Sequence, residues 1–377
     1  MLSVSSLVIF GLTLQSRVSA TILQNGQVKP TNYLDTRVDS SAYLFTTYPA
    51  NATEISYKGR WDSKHVSWWS APGIKFGYTG QTVAISFGNL TTNGVLVAYR
   101  ISGLDWSFTN VTGKSTHLLV SPSTPGAASA GPISPWTFEM RVTNWAFGVQ
   151  IEAVHVAAGE RLIKLPDFDR RIEVIGDSLA AGMYTSYEGL SNEPEPWDFS
   201  KSPPADLVII NIGTNDRNAH NNVSTFAYID ALTKIIQGVH GKWPKAQVIV
   251  MSLWLGFYQS GNTYFPNAPQ GWVSEVSQMV NWFNSDYLRD PVVYDGVTKK
   301  SFKADRSQVG AFVHYFNTTG IMQHNDIGPQ WHPTDVGAIK VASHLQQFIR
   351  VKFGWDLHAT GPEVFHDTQY WNDEPGY

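Results

Sequence analysis

One continuous apolar stretch, Leu207-Val208-Ile209-Ile210-Asn211-Ile212, constrains the second half of the chain more than any other feature. A strand that is apolar on both faces is typical of a parallel sheet covered by helices on both sides. Further strands are predicted at 171–175 and 248–251, and the spacing of apolar residues predicts helices at 225–238, 273–283 and 335–353. This alternation predicts an α/β domain over residues 171–355, with a mostly parallel sheet in a three-layer arrangement.

The first half of the chain has a different pattern, in which short apolar runs are separated by Gly, Asn, Ser and Pro. Such runs predict strands, and no long segment there has helical spacing. We therefore expect an all-β sandwich over residues 38–165, followed by a linker and, after the second domain, a tail at 356–377. With 377 residues, 42% of them hydrophobic, the chain is long enough for two cores.

The N-terminus has the pattern of an export signal. An apolar run at 7–14 is followed by the small residues Val18-Ser19-Ala20, and the run is too short to span a bilayer core of about 30 Å. This predicts a signal peptide over 1–20 that is cleaved after Ala20, and hence a secreted, extracellular protein. In such a protein the five N-x-S/T sequons predict N-glycosylation at Asn51, Asn89, Asn110, Asn222 and Asn317.

Composition excludes several classes of function. The formal net charge is -4 and no basic patch occurs, which argues against nucleic acid as a partner. The absence of cysteine excludes disulfides and a cysteine nucleophile, and no metal-ligand motif such as H-E-x-x-H is present. We expect a monomer that needs no metal or other cofactor and does not bind membranes. The Trp68-Trp69 pair is expected in the sandwich core in preference to a sugar-binding surface.

Polar residues with catalytic chemistry stand next to the predicted elements of the α/β domain. Asp177-Ser178 follows the first strand, Gly213-Thr214-Asn215-Asp216 follows the next, and Trp331-His332-Pro333 precedes the last helix. Sites on parallel sheets lie beyond the carboxyl ends of the strands. A serine hydroxyl becomes an effective nucleophile when a base takes its proton, and an asparagine amide is a suitable donor to an oxyanion.

These segments resemble a known family. Gly176-Asp177-Ser178-Leu179 resembles the first sequence block of the SGNH (GDSL-type) hydrolases, 213–216 resembles their third block, and His332-Pro333 resembles their fifth. The resemblance implies that Ser178 is the nucleophile and His332 the base, and that the Ser178 N–H and Asn215 are oxyanion donors. Asp177 and Gly213 would support the turns. No G-x-S-x-G occurs, which argues against the nucleophile-elbow hydrolases.

The N-terminal half carries a second resemblance. Gly59-Arg60-Trp61 and the stretch 68–76 resemble the jelly-roll domain of the family-two carbohydrate esterases, in which a jelly roll precedes an SGNH domain. This implies a serine esterase that removes O-acetyl groups from plant polysaccharide such as xylan or mannan, with an acetylated polysaccharide or oligosaccharide as its partner. Two alternatives stay open: an SGNH lipase or esterase acting on small lipid-like esters, and a catalytically impaired carbohydrate-binding protein.

The segment before His332 departs from the SGNH pattern. Those enzymes usually have an aspartate three residues before the histidine, where this chain has Pro329. Asp326 and Asp335 are close in sequence but not at that spacing. In family-two carbohydrate esterases a backbone carbonyl can orient the histidine, so the resemblance tolerates this change.

The segment between the first and third blocks is short. Only 27 residues, Leu179 to Ala205, separate Ser178 from the next predicted strand. One crossover fits that length, but a further strand carrying the second-block glycine, another oxyanion donor, does not. Gly189 follows no predicted strand. The sequence therefore predicts that a segment is missing here, through a deletion or a mispredicted exon. In the second case a cDNA would carry extra residues near Leu190–Asn192, and a cDNA identical to this sequence would exclude it.

Overall fold

The computed structural model describes residues 33–69, 71–124, 135–143, 147–166, 168–177, 203–267, 272–289, 292–295, 298–303, 310–327 and 332–356, together with two short N-terminal strands, β1 (Ile22–Gln24) and β2 (Gln27–Lys29). The described chain divides into two compact units, with the change from one to the other at Leu165 and Pro166.

The first unit consists of two antiparallel sheets. Their strands are β3 (Arg37–Val38), β4 (Phe45–Pro49), β5 (Ser56–Lys58), β6 (Val66–Ser67), β7 (Gly73–Tyr78), β8 (Val83–Phe87), β9 (Val95–Ile101), β10 (Ser107–Val111), β11 (Ser115–Val120), β12 (Trp136–Val142), β13 (Val149–Ala157) and β14 (Leu162–Ile163). One sheet has the order β10-β9-β12-β7-β14, with β5 beside β7. The other has the order β3-β11-β8-β13-β4, with β6 beside β13. The eight longest strands pair in the order of a jelly roll.

The core of this unit follows from the two-residue period of its strands. Because successive side chains point to opposite faces, every second residue of β7 and β8 enters the space between the sheets. Phe76 and Tyr78 of one sheet and Ile85 and Phe87 of the other are fully buried in one cluster. Burying such a side chain contributes roughly 1.5–3 kcal/mol, so this layer is sufficient to hold the sheets together without disulfides.

The tryptophan pair lies outside this core, so its predicted burial is wrong. Trp69 is 41% exposed, and the Arg60 guanidinium lies 4.4 Å from the centroid of its ring. Trp68 is half-buried against Gly148, where a Cβ atom would lie 2.5 Å from the indole. The pair directly follows β6, a two-residue strand that pairs with the start of β13, and it therefore lies outside the space between the two sheets.

The sequon at Asn110 does not fit glycosylation of the folded domain. Asn110 is 1% exposed, and its Nδ2 donates a hydrogen bond of 2.9 Å to the Gly94 carbonyl. A glycan on that nitrogen would replace one of its two hydrogens and requires space that the packing does not leave. The four other sequon asparagines, Asn51, Asn89, Asn222 and Asn317, are exposed, and glycosylation there stays a prediction.

The second unit contains a parallel sheet with the strand order β15 (Ile172–Gly176), β16 (Leu207–Asn211), β17 (Gln247–Met251) and β22 (Val313–Phe316). Its helices are α1 (Thr214–Arg217), α2 (Thr225–Lys242), α3 (Val273–Phe283) and α4 (Asp335–Phe353). Two hairpins complete it, β18 (Phe257–Ser260) with β19 (Thr263–Pro266) and β20 (Val292–Asp295) with β21 (Lys300–Lys303). Within the described ranges, no helix combines the length and apolarity needed to cross a bilayer.

Helices cover both faces of this sheet. Val208 and Ile210 of β16 pack in one cluster with residues of α2 and α3, whereas Leu207 and Ile209 pack in another with residues of α4. The continuous apolar pattern of β16 therefore arises because both of its faces are buried, as expected for a central parallel strand.

Strand β15 is different, since it forms one edge of the sheet among the described residues. Its register pairs Ile172 with Leu207 and Val174 with Ile209, which places all four side chains on the face that α4 covers. Ile172 is 43% exposed and Val174 is 54% exposed. Helix α4 thus covers β16 on this face but leaves the apolar side chains of β15 largely open.

Candidate active site

The register of the parallel sheet brings four strand ends to one edge. Gly176 pairs with Asn211, Ile210 with Val250, and Met251 with Phe316, so the four strands end at nearly the same level. The loops that begin at 177, 212, 252 and 317 therefore all leave from this edge, which is where a site on a parallel sheet is expected.

The loop after β16 holds Asn215 in place through a glycine. Gly213 has a φ of +124°, and a Cβ atom there would lie 2.4 Å from the Tyr228 ring. Only glycine allows both this backbone conformation and this close approach. Tyr228 fixes the same loop by donating a hydrogen bond of 3.0 Å to the Ile212 carbonyl. Asn215 itself is exposed, in the first turn of α1.

Two carboxylates from neighbouring loops flank Tyr228. Burial raises the pKa of the Tyr228 hydroxyl, and the negative charges of Asp216 and Asp177 raise it further. Its ring stacks on Trp272, with centroids 3.7 Å apart, next to the start of α3. Asp177, on the loop after β15, therefore lies near enough to Tyr228 for its charge to affect the pKa of that hydroxyl, and Tyr228 is itself bonded to the loop that carries Asn215.

The segment before His332 is held by Asp326. Its side chain forms an ion pair of 2.7 Å with Lys340 of α4 and accepts a hydrogen bond of 2.8 Å from the Gln323 N–H. Its carbonyl accepts bonds from the Thr334 N–H at 2.8 Å and the Thr334 hydroxyl at 3.2 Å. A bridge between Ile327 and Pro333 continues this closure. The loop that contains His332 is therefore closed at its base and attached to the first turns of α4.

Helix α4 begins at the edge of the sheet where the strands end and runs back to the edge where they begin. Thr334 caps its start by accepting a bond of 3.2 Å from the Gly337 N–H, and Gly354 ends it in the left-handed conformation. Just beyond its end, the Trp355 ring lies 4.5 Å from the Arg170 guanidinium, which precedes the first residue of β15. Since the end of α4 lies at the beginning of β15, its start and His332 lie at the edge where the strands end.

A row of buried polar groups crosses this edge and was not predicted from the sequence. Asn211 Nδ2 donates to the Ser252 carbonyl at 3.3 Å, and the Ser252 hydroxyl lies 3.0 Å from that of Thr318. The Thr318 N–H also donates to Ser252 Oγ at 2.9 Å. The sequence does contain a signal for these groups: each of the three apolar strands ends in a polar residue or is followed by one within two residues.

The structure describes some of the predicted catalytic residues but not all of them. Asp177, Gly213 and His332 lie on loops at this edge, and Asn215 lies in the short helix α1 that follows Gly213. Ser178, the predicted nucleophile, lies outside the described residues, as do Ala20, Gly189, Pro329 and Trp331. The structure therefore places the residue before the serine, a candidate oxyanion donor and a candidate base at one edge of one sheet.

No protein-family model matches the sequence, and no curated protein is similar to it by sequence. Solved structures are similar in fold. A family-two carbohydrate esterase from Clostridium thermocellum, solved in complex with cellohexaose, aligns with a TM-score of 0.55 and 18% identity over 80% of this chain and 100% of that one. The acetyl xylan esterase Est2A from the rumen bacterium Butyrivibrio proteoclasticus aligns with a TM-score of 0.58 and 14% identity over 83% of this chain and 100% of that one.

An acyl-transferring enzyme is also among the similar structures. The salicylyl-acyltransferase SsfX3 from a tetracycline biosynthetic pathway aligns with a TM-score of 0.53 and 12% identity, over 82% of this chain and 98% of that one. At these identities the likeness concerns the fold. The chain shares the fold of the family-two carbohydrate esterases, and with it resembles the SGNH hydrolases.

Proposed function

We propose that the protein is a serine esterase that removes O-acetyl groups from plant cell-wall polysaccharide of the xylan or mannan type. The observation that carries this proposal is the location of Asp177, Asn215 and His332 at the same edge of one sheet. The fold shared with carbohydrate esterases supports the same substrate class. The segment at 1–20 supports export to the cell exterior, where such a polysaccharide is found.

The proposed reaction proceeds through an acetyl-enzyme. His332 takes the proton of the Ser178 hydroxyl as its oxygen attacks the acetyl carbonyl carbon, and the carbonyl oxygen gains the negative charge. The Ser178 N–H and Asn215 Nδ2 donate hydrogen bonds to that oxygen. When the bond between carbonyl carbon and sugar oxygen breaks, His332 returns the proton to the sugar oxygen. Water, deprotonated by His332, then attacks the carbonyl carbon of the acetyl-enzyme. The bond between that carbon and the Ser178 oxygen breaks, His332 returns the proton to the serine oxygen, and acetate leaves.

The closed base of the His332 loop fits the role of His332. A general base must hold one orientation relative to the serine through both halves of the reaction. The ties from Asp326 to Thr334 and Lys340 restrict the backbone on both sides of the loop. They limit the movement of His332 in a chain that has Pro329 where the SGNH pattern has an aspartate.

The experiment is hydrolysis of p-nitrophenyl acetate by the purified protein, followed by release of acetate from acetylated xylan and mannan. Asn215→Ala should lower kcat by about 100-fold or more, as expected when one oxyanion donor is removed. A matched control, Asn218→Ala, removes an exposed asparagine from the same loop. Equal activity of the Asn215→Ala variant and the wild type would exclude the proposed oxyanion site.

The same assays distinguish the proposed function from two other functions. A preference for longer acyl chains over acetate would indicate a lipase or esterase for small lipid-like esters. Binding of polysaccharide without hydrolysis would indicate a carbohydrate-binding protein, an alternative that the short segment at 179–205 favours.

A further inference from the structure

The outer face of the sheet β3-β11-β8-β13-β4 contains a groove of about 800 Å³. The register places Thr116 and Ala153 on either side of Ser86, and His155 opposite Ala84, so the middle of this face carries mostly small side chains. The volume of the groove lies in the range of sites for small molecules and short oligosaccharides.

The floor of the groove is a continuous chain of hydrogen-bonding groups. The Ser86 hydroxyl lies 2.7 Å from that of Thr116 and 2.7 Å from His155 Nε2, and His155 Nδ1 lies 2.9 Å from the Thr47 hydroxyl. Burial lowers the pKa of His155, so its imidazole is neutral, and within this chain one ring nitrogen donates a hydrogen bond while the other accepts one. Because these groups hold one another in place, a ligand that hydrogen bonds to them loses little side-chain entropy on their account.

The rim of the groove adds longer polar groups. Glu152 and Lys114 are exposed and line the groove. Next to the groove, outside its lining residues, the Phe45 ring lies 5.3 Å from the His155 imidazole and stacks on Tyr43, with ring centroids 5.2 Å apart. Hydroxyl and amide groups along one groove match the hydroxyls that a sugar presents at its edges.

The same residues disfavour other ligands. Among the described lining residues the largest apolar side chain is Val38, so the groove offers little to an apolar peptide segment. Asp39 and Glu152 outnumber the single ammonium of Lys114, so an anionic ligand meets a net negative rim. An uncharged, hydroxyl-rich chain avoids both costs.

We propose that this groove binds a neutral oligosaccharide chain, and that it is a glycan site on the sandwich unit separate from the ester-cleaving residues at the edge of the parallel sheet. Binding there would hold a polysaccharide on the protein independently of the acetyl group being removed.

The test is isothermal titration calorimetry of the full chain with xylohexaose and with mannohexaose. The parent carries Ser178→Ala to prevent turnover of any ester, and is made in bacteria so that no N-glycan is attached at Asn89 beside the groove. Ala153→Phe places a large side chain on the floor of the groove. We expect it to weaken binding about tenfold or more, because losing two hydrogen bonds between ligand and floor lowers the affinity by about that factor.

The matched control is Ala98→Phe, on β9 of the other sheet. Both alanines are nearly buried outward-facing residues, with exposures of 9% for Ala153 and 6% for Ala98. A second variant, Glu152→Ala with Lys114→Ala, removes two exposed rim groups and leaves the floor intact, so it answers the question even if Ala153→Phe fails to fold. We expect it to weaken binding as well, and Ala98→Phe to leave binding unchanged.

Two results would overturn the proposal: neither hexaose binds the parent, or the rim and floor variants bind as tightly as the parent. Hydrolysis of p-nitrophenyl acetate, measured on the same groove variants with Ser178 restored, should stay unchanged because this ester needs no glycan. Absence of esterase activity in the wild type would count against the proposed function, whereas unchanged calorimetry in the groove variants would count against the glycan groove.

Discussion

Replacing Lys340 by methionine tests how the loop that carries His332 is held. The Lys340 ammonium lies 2.7 Å from Asp326 Oδ2, and the two side chains are 10% and 4% exposed. Removing one partner of a buried ion pair leaves the other charge poorly solvated, which costs about 3–5 kcal/mol in other proteins. Asp326 keeps a hydrogen bond from the Gln323 N–H, so we expect the lower end, a loss of about 3 kcal/mol in the free energy of unfolding.

The measurement is urea denaturation of the full chain, with a matched control on the surface. Lys234 forms an ion pair with Asp230, also at 2.7 Å, but the side chains are 45% and 47% exposed. Because exposed pairs contribute little, we expect Lys234→Met to change stability by less than about 1 kcal/mol. The double variant Asp326→Asn with Lys340→Met removes both charges and should recover much of the loss, since no unpaired charge stays buried.

The same variants should separate positioning from stability. At temperatures where Lys340→Met is folded, we expect kcat for p-nitrophenyl acetate to fall more than KM rises, because the base is less well oriented while the substrate still binds. Equal stability losses for Lys340→Met and Lys234→Met, or an unchanged kcat in a variant that has lost the pair, would refute this account of the His332 loop.

Three further predictions concern other parts of the chain. Burial lowers the pKa of His117 to about 4, so between pH 6.5 and 4 the unfolded chain binds a proton that the folded chain does not. The free energy of unfolding should therefore fall as the pH drops from about 6.5 to 4, and it should fall more steeply than in His117→Gln. Equal slopes for the two proteins would contradict this. Gly213→Ala should abolish most activity and lower the melting temperature, because its Cβ would meet the Tyr228 ring, whereas Gly310→Ala, which has open space, should do neither. Val174→Lys should change the free energy of unfolding by less than about 0.5 kcal/mol in urea titrations, as for an exposed position, and a loss above about 2 kcal/mol would show that another segment covers β15.

The helices of the second unit illustrate what local sequence determines. Helix α4 has the predicted bounds, 335–353, because Thr334 and Gly354 supply a cap at each end and the apolar period is regular between them. Helix α2 was predicted to end at Gly238 but continues to Lys242. A glycine weakens a helix by only about 1 kcal/mol, and the burial of Val239 and His240 outweighs that cost.

The candidate site shows where sequence reasoning stops. The alternation of strands and helices predicts a parallel sheet, in which all strands end at the same edge. The positions of Asp177 and Asn215 at that edge follow from this topology. The tie between Asp326 and Lys340 was not predictable, since it joins residues 14 positions apart across a loop and depends on the angle at which α4 leaves that loop. The row formed by Asn211, Ser252 and Thr318 depends likewise on the register of three strands.

The central claim is that Ser178 and His332 act together as nucleophile and base. The most direct test is the rate of p-nitrophenyl acetate hydrolysis by the wild type, Ser178→Ala, His332→Ala and the double variant, with His220→Ala as a control at an exposed histidine. The account predicts that each single variant loses about as much activity as the double variant, because residues that act as a unit are not additive, and that His220→Ala keeps full activity. Wild-type rates in Ser178→Ala, or losses that multiply in the double variant, would contradict it.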